Sequence, residues 1–326
     1  MAVDVREETI FTLFGAPAAR VQERAAWWWL FALTLTAWLG AVAFIGRYRQ
    51  HEVVQALEAI APGRILYLGA IVAVLLLAVA GLAAGRRKQA GASLVVLGFL
   101  IGHQLYAWLY PYLPVRWEIP FDSPGDALPF AVSRLAYGAA LVLPMLIGWF
   151  LLLGRREEWP PLTLGIGNLR AVARDVSRKT PPIPWSRHLL GGYTGFCIVF
   201  FFIMQANVGF RPMISGSLWP FIPAVLLAAV ANALAEEFIF RGMLQPAFIR
   251  AGGIAAGLWM QGLMFGLFHW GMSMGILAAL PVSLLIGLGS VVWGKAALDT
   301  GGMAWVVLAH TLVDIGLMSA FFVPRA

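Results

Sequence analysis

Residues 65–85, ILYLGAIVAVLLLAVAGLAAG, are uncharged from end to end and are followed at once by Arg86-Arg87-Lys88. Roughly 20 apolar residues in a helix cross the ~30 Å hydrocarbon layer of a bilayer. This stretch therefore predicts a membrane span with a basic anchor at its end. The rest of the chain extends the same reading. Of 326 residues, 60% are hydrophobic and only 12% are charged, and the mean hydropathy is +0.80. A soluble domain carries about 25% charged residues, so these proportions exclude a soluble enzyme, a disordered chain and a fibre. They imply an all-α, polytopic transmembrane bundle of about eight to nine spans. The expected spans run near 26–46, 65–85, 91–111, 134–153, 189–210, 218–240, 254–271, 273–293 and 303–323. Arg134 and Pro144 make the fourth the weakest of the early ones. The first opens on Trp27-Trp28-Trp29 and reads as an uncleaved interfacial anchor.

The net charge of +7 belongs to the loops. Most of the 23 Lys and Arg fall on one side when the N-terminus is placed in the cytoplasm. That predicts a multi-pass membrane protein with a cytoplasmic N-terminus; a bacterial inner membrane is its expected location. The bilayer, not nucleic acid, is the partner this basicity implies. The single cysteine, Cys197, excludes a disulfide framework and a CxxC metal or redox site.

Three regions follow. Residues 1–153 form an apolar N-terminal transmembrane region without evident chemistry. Residues 154–188 form a basic polar loop punctuated by Pro160-Pro161 and Pro181-Pro182. Within it Leu169, Val172 and Val176 alternate with Arg170, Arg174 and Arg178, a pattern that predicts a short surface helix. Residues 189–326 form a transmembrane region with unusual polar content, the expected catalytic part.

Charges inside spans cost about 2.5–3.5 kcal/mol each on insertion scales, so each needs a reason. The sixth span ends Asn232-Ala-Leu-Ala-Glu236-Glu237-Phe-Ile-Phe-Arg241. Glu237 and Arg241 are i, i+4 neighbours and can pair. Glu236 lies about 100° round the helix, on the face of Asn232, free to point elsewhere. The seventh span carries Phe265-Gly-Leu-Phe-His269. The ninth carries His310-Thr-Leu-Val-Asp314, again i, i+4. With a turn at Ala251-Gly252-Gly253, Glu237 and His269 fall at roughly equal depth.

Two glutamates, two histidines, an aspartate and an arginine on three spans suit hydrolysis of a peptide bond by an activated water. Such a reaction needs a base and donors for the tetrahedral oxyanion. An apolar setting and a neighbouring carboxylate tune a glutamate for that base role. No Ser or Cys is paired with a histidine, which leaves nucleophilic catalysis unsupported. No cofactor is expected. Zinc is the alternative, with Glu236, His269 and His310 as its ligands. Against it, the zincin motif His-Glu-x-x-His is absent and Arg241 would add positive charge. His103 and Gln104 read as interhelical hydrogen-bonders, Gln261 as a residue of the cavity wall, and Gln205, Asn207 and Asp299 as structural.

Glu236-Glu237-x-x-x-Arg241, Phe265-x-x-x-His269 and His310-x-x-x-Asp314, in this order on membrane segments, resemble the CPBP family. That family comprises the CAAX-processing proteases and the bacteriocin-processing or immunity (Abi) proteins, and includes the Ras-converting CAAX endopeptidase. The resemblance covers roughly residues 218–316. It implies an intramembrane endopeptidase that acts on a membrane-anchored or lipidated protein or peptide tail. It further implies Glu236 as the residue that activates water with His269, Glu237 and Arg241 as supporting site residues, and His310 with Asp314 as the oxyanion pair. The family pattern allows Asn or Asp at the last position, and a carboxylate there donates only when protonated. Two other readings stay open: a non-proteolytic family member acting as an immunity or scaffold protein, and a proton-coupled transporter.

Overall fold

The computed structural model describes residues 21–45, 63–113, 124–153, 165–173, 183–195, 221–269 and 276–321. The expected span near 189–210 lies beyond Gly195 outside the described residues, as do Cys197, Gln205 and Asn207.

The apolar runs become helices: α1 (Val21–Ile45), α2 (Gly63–Ala83), α3 (Arg87–Leu109), α4 (Ala127–Leu153), α5 (Ile222–Glu237), α6 (Gln245–Phe268), α7 (Ile276–Thr300) and α8 (Ala304–Phe321). Within a bilayer the helix is the element that satisfies its own backbone hydrogen bonds, so the architecture is an all-α membrane bundle. By length and composition, helices covering Ile65–Ala83, Arg87–Tyr112, Ala127–Phe150, Ile222–Phe268 and Leu280–Thr300 can cross a membrane. On α2 the large side chains Leu68, Val72, Leu75, Leu76 and Val79 are exposed, which suits a face turned to lipid rather than water. The protein is integral to the membrane.

Helix α4 starts earlier than expected, at Ala127, and runs unbroken through Arg134 and Pro144. Residues Ile222–Phe268 make 47 helical positions, about 70 Å at 1.5 Å per residue, more than twice the hydrocarbon thickness. The chain resolves this by folding back at Gly253, whose φ of +86° lies in the region that only glycine enters freely. A Cβ on Gly257 would sit 2.6 Å from the backbone nitrogen of Ile249. Residues eight apart in a straight helix would be about 12 Å apart, so the two limbs run antiparallel. This is the turn expected at 251–253, and it brings the seventh expected span back to the end of the sixth, with the Phe265 ring 4.8 Å from that of Phe240.

Glycine seams bring the helices close. Gly98 and Gly102 of α3 press on α4, where a Cβ would lie 2.6 Å from the carbonyl carbon of Pro144 and 2.7 Å from the Ala140 oxygen. Gly262 and Gly266 of α6 lie equally close to Gly287 of α7. A Gly266→Val substitution is expected to cost about 1–3 kcal/mol by overpacking. It should also displace His269 in the next turn. The check is a tryptophan-fluorescence melt beside a cleavage assay, and both should fall together.

The surface helix expected around Leu169 and Val172 does not form within the described residues 165–173. Instead Val172–Ala173 pairs antiparallel with Ile183–Pro184. The cause is local. Gly167 sits at φ +81°, and Asn168 accepts the Arg170 amide on its side chain at 3.0 Å, the type of turn that competes with helix. Other backbone groups of the strip bond to the α7–α8 turn, with Asn168 N donating to Thr300 O at 2.7 Å and Met303 N donating to Gly165 O at 2.8 Å. Residue Val176 lies outside the described residues.

Candidate active site

Helix α5 leads into a π-helical turn, Phe238–Leu244, before α6 begins. Wide turns of this kind often occur at functional sites. Here the turn follows directly on the two adjacent glutamates, whose side chains diverge as the helix requires.

Glu237 points into the core and is fully buried, as is Arg241. Its Oε1 accepts from Arg241 Nη1 at 3.0 Å and pairs with His310 Nδ1 at 2.8 Å. The guanidinium is held from three further sides. Its Nη2 donates to Ser290 Oγ at 2.8 Å, and its Cζ stands 4.7 Å from the ring centre of Phe265 and 5.4 Å from that of Trp293. Burial of such a pair is tolerable only with this density of partners.

Glu236 points the other way, and its side chain keeps 14% of its exposure. One oxygen, Oε1, accepts from Arg134 Nη2 of α4 at 2.5 Å. The other, Oε2, is buried without a hydrogen-bond partner among the described residues. Two imidazole nitrogens face it: His310 Nε2 at 3.7 Å and His269 Nε2 at 3.9 Å. These spacings are too long for direct hydrogen bonds and suit groups that share one small polar molecule.

The tautomer of His269 follows from its other nitrogen. Nδ1 lies 2.8 Å from the Phe265 carbonyl oxygen, which can only accept. Nδ1 therefore carries the proton, and the neutral ring presents a lone pair at Nε2. In His310, Nδ1 is committed to Glu237, and Nε2 stands 3.7 Å from Asp314 Oδ2 as well. Asp314 is oriented in turn by Asn232, whose Nδ2 donates to Oδ2 at 2.9 Å. The Trp293 ring lies 4.8 Å from that of His310.

All six residues expected from the motifs, Glu236, Glu237, Arg241, His269, His310 and Asp314, thus belong to one cluster. Three contributors were not expected. Ser290 and Trp293 of α7 hold Arg241, and Arg134 of α4 holds Glu236. Gln261 does not line open space; it is buried and donates to Ser290 Oγ at 2.9 Å. His103 joins α3 to α4 through Tyr137 Oη at 3.2 Å, the interhelical role read from its position.

Among the described residues no three His, Cys, Asp or Glu side chains are arranged to hold an ion. The carboxylate that would anchor one is already paired with Arg134, and a second cation on it would be repelled.

Residues 217–316 match the family model described as Type II CAAX prenyl endopeptidase Rce1-like. The matched segment runs from the start of α5 into α8, carries all six motif residues, and agrees with the resemblance to the CPBP family. It supports a membrane endopeptidase in general terms. No curated protein and no solved structure gives a match.

Proposed function

We propose that this protein is an intramembrane endopeptidase that cleaves a peptide bond in a membrane-anchored or lipidated tail, using a water activated by Glu236. The observation that carries the reading is Glu236 Oε2, without a hydrogen-bond partner among the described residues, facing two imidazole nitrogens at 3.7 and 3.9 Å. Two of those three groups, Oε2 and His269 Nε2, are acceptors. A water between them donates one hydrogen to each, which leaves its lone pair directed outward at a substrate carbonyl. As the oxygen adds to the carbonyl carbon, Glu236 takes the proton. The same proton passes to the leaving amine when the C–N bond breaks, so the products are a carboxylic acid and an amine and the enzyme is regenerated. His310, protonated at both nitrogens, donates from Nε2 to the tetrahedral oxyanion, while Glu237 and Asp314 fix its orientation. Arg241 keeps Glu237 in place. The route uses no metal.

The family description makes a prenylated CAAX-type tail the first substrate to try. The basic loops favour an N-terminus in the cytoplasm. The test is the full chain in liposomes, given a prenylated tail peptide, the same peptide without the lipid, and an unrelated membrane-anchored peptide. Product masses locate any cut. Cleavage of at least one anchored peptide at a single bond, unchanged after exhaustive EDTA treatment, is expected. Activity abolished by chelation and restored by zinc would overturn the metal-free route.

A further inference from the structure

We propose that Arg134, which lies outside the family-matched segment, is a positioning residue for this reaction. It binds one oxygen of Glu236 so that the other is the only one left to act. The inference rests on the reading of Glu236 as the base.

Arg134 sits within the apolar helix α4, where a charge needs a partner. It finds that partner in Glu236, at 2.5 Å, and the guanidinium also lies 5.1 Å from the ring centre of Tyr137. Tyr137 is in turn held through its hydroxyl by His103 of α3. Helix packing fixes the register. Gly138, one turn beyond Arg134, lies against Ala235, where a Cβ would fall 3.1 Å from the Ala235 Cβ. This close approach sets α4 beside the residue that precedes Glu236.

A carboxylate rotates freely about its last bond, and without an anchor either oxygen of Glu236 could turn toward the histidines or away from them. The Arg134 bond removes that freedom and leaves Oε2 between His269 and His310. The N-terminal helices, chemically plain in the sequence, therefore complete the site: residues 217–316 hold the chemistry, and α4 holds its aim.

The experiment compares Arg134→Gln, Arg134→Lys and Glu236→Gln with wild type in liposomes, with kcat and KM read separately and folding followed by tryptophan fluorescence. Loss of aim at a reacting group is worth up to about 10²-fold. Arg134→Gln is expected to lower kcat by about 10- to 100-fold with KM within about twofold, while Arg134→Lys keeps kcat within about fivefold. A purely structural role would not divide the charged from the neutral replacement in kcat alone. Should Arg134→Gln fail to fold, Arg134→Ala/Glu236→Ala, which removes both charges, tests whether folding returns, and the kcat of Arg134→Lys decides the proposal. Wild-type kcat in Arg134→Gln, or an Arg134→Lys as impaired as Glu236→Gln, overturns it. If Glu236→Gln itself retains full activity, the assignment of the base has failed instead, and the two failures are told apart.

Discussion

Glu236→Gln is expected to abolish cleavage, with kcat down by about 10³-fold or more, in a protein that still folds. Glutamine keeps the shape of glutamate and an oxygen that can accept from Arg134, so the contacts around Oε1 survive. What disappears is the second oxygen's capacity to accept a proton, because an amide nitrogen presents only N–H groups. A positioned general base contributes about 10²–10⁴-fold, and about 10³ corresponds to roughly 4 kcal/mol of barrier. His269→Ala removes the second acceptor of the water but not the base, and about 10²-fold is the matching expectation. Single-turnover cleavage in liposomes, with excess protein, separates the chemical step from substrate binding. An Arg134 left facing a neutral amide costs some stability, which a parallel melt reports. If the glutamine variant cleaves at the wild-type rate, the water-activating role of Glu236 is wrong, whatever the fate of the fold.

Much of this architecture was legible in the sequence because membrane physics leaves few choices. Apolar length gives a span, and a run of two glycines between two spans gives a turn. Gly253 takes the positive φ that such a turn needs. The i, i+4 pairs Glu237–Arg241 and His310–Asp314 were equally readable, since helix geometry alone puts them on one face. Arg134 was visible too, as a charge inside a span, but its meaning was not. A charge in a helix says that a partner exists and not which helix holds it. Naming Glu236 required the Gly138–Ala235 contact, a tertiary fact with no local signature. Ser290 and Trp293 were silent for a different reason. A serine and a tryptophan are ordinary in a membrane helix, and only their contacts with the buried guanidinium bring them into the cluster. The loop at 165–173 misled because alternating apolar and basic residues suit an amphipathic helix. The α7–α8 turn offered its backbone groups first, and tertiary hydrogen bonds outweighed the periodicity.

Arg241→Ala is expected to damage stability rather than chemistry, and the contrast with Arg134 follows from burial. The two adjacent glutamates are each held by an arginine, but in unlike settings. Glu236 and Arg134 retain 14% and 12% of their side-chain exposure, whereas Glu237 and Arg241 retain none. Removing Arg241 leaves the Glu237 carboxylate buried, with the His310 ring still bonded to it but without its guanidinium counter-charge. It also opens a void beside the Phe265 and Trp293 rings. Breaking a buried pair from one side typically costs about 3–5 kcal/mol, a large part of the roughly 5–15 kcal/mol that holds an ordinary protein folded. In a tryptophan-fluorescence melt that corresponds to a fall on the order of 10 °C. Taking the charge from both sides, in Glu237→Gln/Arg241→Gln, removes the orphaned ion and should recover part of that loss, since residues in contact couple by about 0.5–3 kcal/mol. The double variant should nevertheless lose activity, because His310 then lacks the carboxylate that holds its Nδ1 proton and steadies its charge. A double variant no more stable than Arg241→Ala would show that the pair is not the source of the stability. An unchanged melting temperature in Arg241→Ala would show that the buried pair carries no stability at all.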